Sequence, residues 1–456
     1  MRMLLFLLML PLLCGAAENV LMDGSTGKPL PYSFMDPERK IVLPETYYRR
    51  QNEFRAFWIS TVANLDFPLC KTPAEYEMRF RQLVRCAADA GFNAIFFQVR
   101  PCSDAFYKSK YNPWSRYLTG KEGTAFPGNY DPLPFMIREC HNAGMTFHAW
   151  LNPYRIAGKS KLSKHNYLAG LHRNNFAVRN PDSVLTVPLE DGQHYMHFLD
   201  PGDPQVLVFL INTVKELLTN YDLDGIHMDD YFYPYEPMGT QDNATYRRYA
   251  PKGMDIASWR RNNTDRLVLN LGQLIRKHNR DTGKSVRFGI SPFGIWANIT
   301  PPCPAEPAAM RRWQKLQCSP LGSETKGHQS HYELYANTRK WVKNNWIDYV
   351  IPQVYWGFSN PAAPFAAVVD WWAETVRGTQ VTLYIGIGAY RMGVNEDCLS
   401  EDELSNQVIY CQKHPEIKGV SFFSSRSIFD APPPVRKAAF KTVFETLWGK
   451  KYTILR

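Results

Sequence analysis

In this 456-residue chain, residue type and spacing point most plainly to chemistry in the stretch Leu223-Asp224-Gly225-Ile226-His227-Met228-Asp229-Asp230-Tyr231-Phe232-Tyr233-Pro234. Strand residues alternate faces, so a strand here would set Ile226 and Met228 on one side and His227 and Asp229 on the other. Two adjacent carboxylates at a strand end could divide acid and base roles if their surroundings differ. Asp229 is the expected catalytic residue and Asp230 its provisional acid. Asp224, at the strand start, is expected to be structural. Acid–base chemistry of the kind that cleaves acetals ordinarily uses two carboxyl groups. Besides Asp230, Asp104 and Glu324 are candidates for the second, both from long loops.

Other strand-like runs break their apolar pattern at the same end. Gln98 and Arg100 alternate with Ile95, Phe97 and Val99. His148, Trp150 and Asn152 alternate with Ala149 and Leu151. Gln353 is flanked by Ile351 and Val354, with Tyr355 two residues on. Strands of a parallel sheet are buried on both faces, so such polar exceptions need a reason to persist. Arg100, Asn152, Asp229, Gln353 and Tyr355 are expected to converge on one pocket. Paired Arg and Asp packing inside a barrel is the plainer alternative. Trp58, Trp114, Tyr154, Tyr231, Trp296, Tyr355 and Trp356 fall at strand ends or in adjacent loops, where flat rings could stack on sugars. Each alone is also an ordinary core residue. His141, His194 and His197 have no metal-ligand spacing, and no metal or organic cofactor is expected.

Eight units of strand and helix must carry these residues. The strands are expected over Phe54–Thr61, Ala94–Arg100, Thr146–Pro153, Gly225–Asp230, Arg287–Gly294, Tyr349–Trp356, Thr382–Tyr390 and Gly419–Ser425. Helices are expected near 75–90, 133–143, 204–220, 255–280, 332–345, 362–377, 401–412 and 433–446. Eight alternating units predict a single-domain (β/α)8 TIM barrel, with residues 18–53 as an extended lead-in, 54–446 as the barrel and 447–456 as a tail. No glycine-rich phosphate turn follows the first strand, which disfavours a doubly wound sheet. Long connections follow strands two to five, on the C-terminal face where barrel active sites sit.

Residues 1–17 read as a secretory signal: Arg2, an apolar run from Met3 to Leu13, then Gly15-Ala16-Ala17. Cys14 offers lipid attachment as an alternative. The run is too short for a finished membrane span, and no later stretch is long and apolar enough. The expectation is an exported, periplasmic or envelope-associated monomer. The net charge of +10 is interspersed, consistent with solubility or with attraction to an anionic polymer. No nucleic-acid-binding motif is present, and no nucleic-acid partner is expected. Eight cysteines would remain after cleavage. Cys303 with Cys318, or Cys398 with Cys411, lie near enough in sequence to pair, but buried free thiols are the expected state for most.

Phe57-Trp58-Ile59-Ser60-Thr61, Gln98-Val99-Arg100-Pro101, Trp150-Leu151-Asn152-Pro153-Tyr154-Arg155, the 224–234 stretch and Pro352-Gln353-Val354-Tyr355-Trp356 together resemble the glycosyl-hydrolase-like family 10, once domain of unknown function 187. The motifs fall in order over about residues 50–430. The resemblance implies a (β/α)8 fold, an exported bacterial protein and a glycosidase acting on peptidoglycan strands stripped of their stem peptides. The stretch 224–229 is also similar to the strand-four signature of chitinase-type glycosidases, Asp-Gly-x-Asp-x-Asp-x-Glu. Here His227 replaces the middle aspartate and Tyr231 the catalytic glutamate, so that substrate-assisted mechanism does not carry over. An amylase-like arrangement is nearer, with a basic residue two positions before an aspartate nucleophile. The expected activity is hydrolysis of a β-linked amino-sugar polymer. Arg100, Asp104, Asn152, Tyr154, His227, Tyr231, Gln353 and Tyr355 would hold substrate, and Trp58 and Trp356 would stack on it. The alternatives are a glycosidase for a dietary or host polysaccharide, or a carbohydrate-binding barrel without catalysis.

Overall fold

A computed structural model of the chain describes residues 19–24, 26–299 and 317–455. The signal segment, Cys14 and Cys303 lie outside these residues. Eight parallel strands form the centre: β1 (Phe54–Ile59), β2 (Ala94–Arg100), β3 (Thr146–Leu151), β4 (Gly225–Met228), β5 (Arg287–Ile290), β6 (Tyr349–Val350 and Gln353–Val354), β7 (Thr382–Gly388) and β8 (Ile417–Phe423). Each pairs with the next, and β8 pairs back onto β1, with Ala56 opposite Ser421 and Phe57 opposite Phe422. The sheet is therefore a closed (β/α)8 barrel with no free edge.

The helices between the strands are α1 (Pro73–Asp89), α2 (Pro132–Asn142), α3 (Pro204–Asn220), α4 (Ile256–Thr282), α5 (Thr338–Lys343), α6 (Phe365–Val376), α7 (Glu403–Cys411) and α8 (Pro434–Lys441). Three start on one local device. Thr72, Asp131 and Asp203 each cap the backbone of the first turn, and a proline follows where no N–H is needed. Seven of the eight strands end earlier than expected, because their last residues leave the ladder to form the barrel mouth, and β2 keeps its expected range. β6 is split around Pro352, which has no N–H to give the ladder. The loop after β3 is more than a loop. Arg155–Ser160, Tyr195–Leu199 and Val184–Pro188 form a three-stranded antiparallel sheet. Each strand is five or six residues long and offers few residues to an alternation pattern.

The barrel interior is packed. Ala56, Trp58, Ala94, Phe96, Trp150, Tyr349, Ile351 and Tyr384 form its core, separate from the larger core under the helices. Two glycines make room for the rings. A Cβ on Gly289 would lie 1.9 Å from the Tyr349 ring, and one on Gly225 would lie 2.1 Å from the His148 ring. Either would collide, so these seats fit only glycine.

The lead-in lies against the barrel. Tyr32 donates to Asp370 at 3.0 Å, and the Tyr48 N–H donates to Gln412 at 2.8 Å. Cys398 and Cys411 are buried free thiols, as are Cys70, Cys86, Cys102 and Cys140. No helix among the described residues is long and apolar enough to cross a membrane.

Candidate active site

β4 ends at Met228, so Asp229 and Asp230 emerge at the mouth of the barrel. They lie in a cavity of about 480 Å³, within the usual range for small-molecule sites. Trp58, Tyr231, Gln353, Tyr355 and Trp356 line it as well. Seven of the twelve residues singled out from the sequence therefore share one cavity.

The other five do not line it. Asn152 and His227 point into the barrel but lie behind the wall. Asn152 Nδ2 donates to Asp229 at 2.5 Å, and His227 bonds the Ser291 hydroxyl at 2.9 Å. Arg100 departs from the expected orientation. The pairing of β2 with β3 shifts register between Gln98 and Arg100. This bulge breaks the alternation and sends Arg100 towards α3, over the ring of Phe209 at 5.3 Å. There it donates to the carbonyls of Asn152 and Pro153, at 2.6 and 3.1 Å. Asp104 is buried against the Cys102 N–H and the Ser115 hydroxyl, at 2.9 and 2.7 Å, so it organises its own loop. Tyr154 packs in the outer core. Glu324 bonds Ser33 of the lead-in, away from the cavity.

The wall also contains residues not singled out as site residues from the sequence: Ser60, Gln98, Trp150, Arg155, Tyr235, Ser291, Phe293, Tyr390, Arg391 and Phe423. Arg155 is the most consequential. It donates to Asn152 Oδ1 at 2.6 Å, lies over the Tyr231 ring at 4.9 Å and supplies positive charge to Asp229. Its signal was present, since it closes the Trp150–Arg155 motif. The strand ends at Leu151, however, so alternation says nothing about it. Tyr235 comes from a loop, where no periodicity exists to read, and Tyr390 and Arg391 from a 3-10 turn just after β7, although the seventh strand was expected to reach Tyr390.

The two aspartates have unlike surroundings. Asp229 accepts from Asn152 at 2.5 Å and from the Tyr231 N–H at 3.2 Å. Asn152 cannot turn its amide round, because its Oδ1 already accepts from Gln98 and Arg155. Gln98 is fixed in turn, since its Oε1 accepts the N–H groups of Thr61 and Val62 at 2.9 and 2.8 Å. Asp230 accepts from Gln353 Nε2 at 3.0 Å and from the Tyr235 hydroxyl.

Burial raises the pKa of both carboxyls. For Asp229 the charge of Arg155 and the Asn152 and Tyr231 hydrogen bonds pull back towards the anion. For Asp230 the negative charge of Asp229 pushes further up, against weaker opposition from Gln353. The pair thus favours an ionised Asp229 beside a protonated Asp230. That arrangement can supply an anion to a developing positive centre and a proton to a leaving oxygen. Part of the wall is aromatic: Tyr355 stacks on Phe423 at 5.9 Å, and Tyr390 meets both edge-on.

Comparison with known proteins gives a consistent result. Residues 53–401 match the family model described as glycosyl hydrolase-like 10. Glycosyl hydrolase YngK of Bacillus subtilis (strain 168) is 37% identical over 388 residues, 83% of this chain and 69% of its own length. Glycosyl hydrolase DigH of Escherichia coli (strain K12) is 33% identical over 439 residues, 92% of each chain. Among solved structures, the catalytic domain of β-amylase from Paenibacillus polymyxa superposes with a TM-score of 0.52 at 12% identity, covering 89% of this chain and all of that one. The PgaB (BpsB) glycoside hydrolase domain from Bordetella bronchiseptica gives 0.51 at 12% identity, covering 87% and 98%. At that identity the structural likeness shows the fold alone.

Proposed function

The chain belongs to the glycosyl hydrolase-like 10 family, and on that premise we propose that it cleaves a β-linked amino-sugar polymer, peptidoglycan strands freed of their stem peptides, with Asp229 and Asp230 as its catalytic pair. One observation supports the assignment: among the described residues, these are the two carboxylates that line the cavity, and although burial raises the pKa of both, the charge of Asp229 pushes Asp230 further towards its protonated form. Asp230 gives its proton to the departing glycosidic oxygen. Asp229, favoured as an anion by Arg155, Asn152 and the Tyr231 N–H, meets the positive charge that grows on the anomeric carbon; a water then adds to that carbon and returns a proton to Asp230. Tyr355, Trp356, Tyr390 and Phe423 offer apolar faces to the sugar rings.

The amino-sugar substrate rests on the motif resemblance and on the chain's positive charge, which suits an anionic envelope polymer. Export through the N-terminal signal follows the same reading.

The test is incubation of the full mature chain with amidase-stripped glycan strands, with intact peptidoglycan and with plant or host polysaccharides, followed by mass spectrometry. Short saccharides from stripped strands alone are the expected result. Products from another polymer only would overturn the substrate, and none from any would overturn the catalytic pair.

A further inference from the structure

Beneath the cavity floor a line of hydrogen bonds runs up the barrel axis: Thr146 Oγ1 to His148 Nε2 at 3.2 Å, His148 Nδ1 to the Tyr349 hydroxyl at 2.9 Å, that hydroxyl to His227 Nδ1 at 3.2 Å, and His227 Nε2 to Ser291 Oγ at 2.9 Å. Thr146, His148, Tyr349 and His227 lie outside the cavity, and Ser291 lines it. Burial pushes both imidazoles down, His148 to about 3, so both are neutral, with one donor and one acceptor nitrogen each.

A line of neutral groups has only two possible directions. The far end favours one of them. The Thr146 hydroxyl lies 3.4 Å from the carbonyl of Asn93, which can only accept. Thr146 therefore donates downward and accepts from His148 Nε2–H. His148 Nδ1 is then an acceptor and takes the Tyr349 proton. The Tyr349 oxygen accepts from His227 Nδ1–H, which leaves His227 Nε2 to accept from Ser291.

We infer that this relay locks the Ser291 hydroxyl proton away from the cavity, so that Ser291 presents only lone pairs to the substrate and selects for a sugar O–H or N–H donor at that point. Gln353 has the same polarity. Both its Nε2 hydrogens are engaged, by Asp230 and by the Ser291 carbonyl at 3.0 Å each, which leaves Oε1 as its remaining polar atom. Ser291, Gln353 and Asp229 thus form a wall of acceptors. It suits a hydroxyl or an acetamido N–H. His148, Tyr349 and His227 are positioning residues that act through Ser291.

The substrate side of this inference rests on the glycosidase reading, but the relay can be read without substrate. In the full chain labelled with 15N-histidine, long-range 1H–15N spectra at neutral pH report each imidazole tautomer, with assignments from His148→Gln and His227→Gln. The expected result is Nε2–H for His148 and Nδ1–H for His227. The opposite pair, or a protonated ring, overturns the relay. Tyr349→Phe should leave His227 in mixed tautomers and lower kcat/KM, whereas a merely structural tyrosine would leave the tautomer unchanged. Ser291→Ala should lower kcat/KM on stripped strands roughly tenfold or more while His148 keeps its tautomer. Full activity in Ser291→Ala would overturn the specificity role and leave the relay standing. Intact tautomers in a wild type that cleaves no glycan would overturn the glycosidase reading instead.

Discussion

The two walls of the cavity are built on different principles. On one side, Asp229, Asp230, Gln353 and Ser291 are held by hydrogen bonds that can be followed back to backbone groups: from Asp229 through Asn152 and Gln98 to the N–H groups of Thr61 and Val62, and from Ser291 through His227, Tyr349, His148 and Thr146 to the Asn93 carbonyl. Backbone groups cannot reverse, so each side chain along the way has one polarity. On the other side, Tyr355, Tyr390 and Phe423 meet through ring contacts alone, and Tyr390 is 42% exposed. The polar wall is suited to stabilise charge in a transition state, which requires donors and acceptors fixed in advance. The aromatic wall is suited to binding a sugar face in ground and transition states alike.

Four variants would sharpen or break this contrast. Asp229→Asn should cost the most, roughly 10³-fold or more in kcat, because the anion opposite the anomeric carbon is lost. Quench-flow or product counting on stripped strands measures it.

Asp230→Asn should cost about 10²–10⁴-fold, the usual worth of a positioned acid. In the wild type, kcat/KM should fall as pH rises through the raised Asp230 value, above the ordinary carboxylate value of about 3.9, and that limb should vanish in the variant. The same shift affects stability. Between the unfolded carboxyl value and the raised folded one, the native state binds the extra proton, so stability falls as pH rises through that window. Asp230→Asn removes this effect and should stabilise the fold at neutral pH by on the order of 1 kcal/mol, raising the melting temperature even as activity falls. An unchanged or lower melting temperature would mean that Asp230 is comfortably ionised.

Asn152→Ala should be intermediate, with kcat down roughly ten- to a hundredfold and KM little changed, since Asp229 keeps Arg155 and the Tyr231 N–H. Tyr390→Ala should be smallest, with KM up a few-fold and kcat preserved, the mark of uniform binding. If Tyr390→Ala cut kcat as deeply as Asn152→Ala, the two walls would not differ as described.

The barrel was legible along the chain because its signals are local. Cap-proline pairs such as Asp203-Pro204 start helices, and short apolar runs mark buried strands. Asp229 and Gln353 were legible because a polar residue at the end of a buried parallel strand is conspicuous against its neighbours. Legibility stopped where alternation stopped. Arg100 was expected in the pocket, but one bulged residue turned it to the helix layer. Arg155, Tyr235 and Tyr390 follow the strand ends, where no period tells a cavity wall from a surface loop.

The sequence by itself thus determined the eight-unit order, the family and the placing of two adjacent aspartates at a strand end, since each depends on residues close together or on motifs in order. The unlike surroundings of the pair, the displacement of Arg100 and Asp104 from the cavity, and the lines of hydrogen bonds beneath Asp229 and Ser291 were decided only by the tertiary structure. Those properties arise between residues such as Asn93, Tyr349 and Ser291, far apart in the chain, and burial and direction exist only once the closed barrel has brought them together.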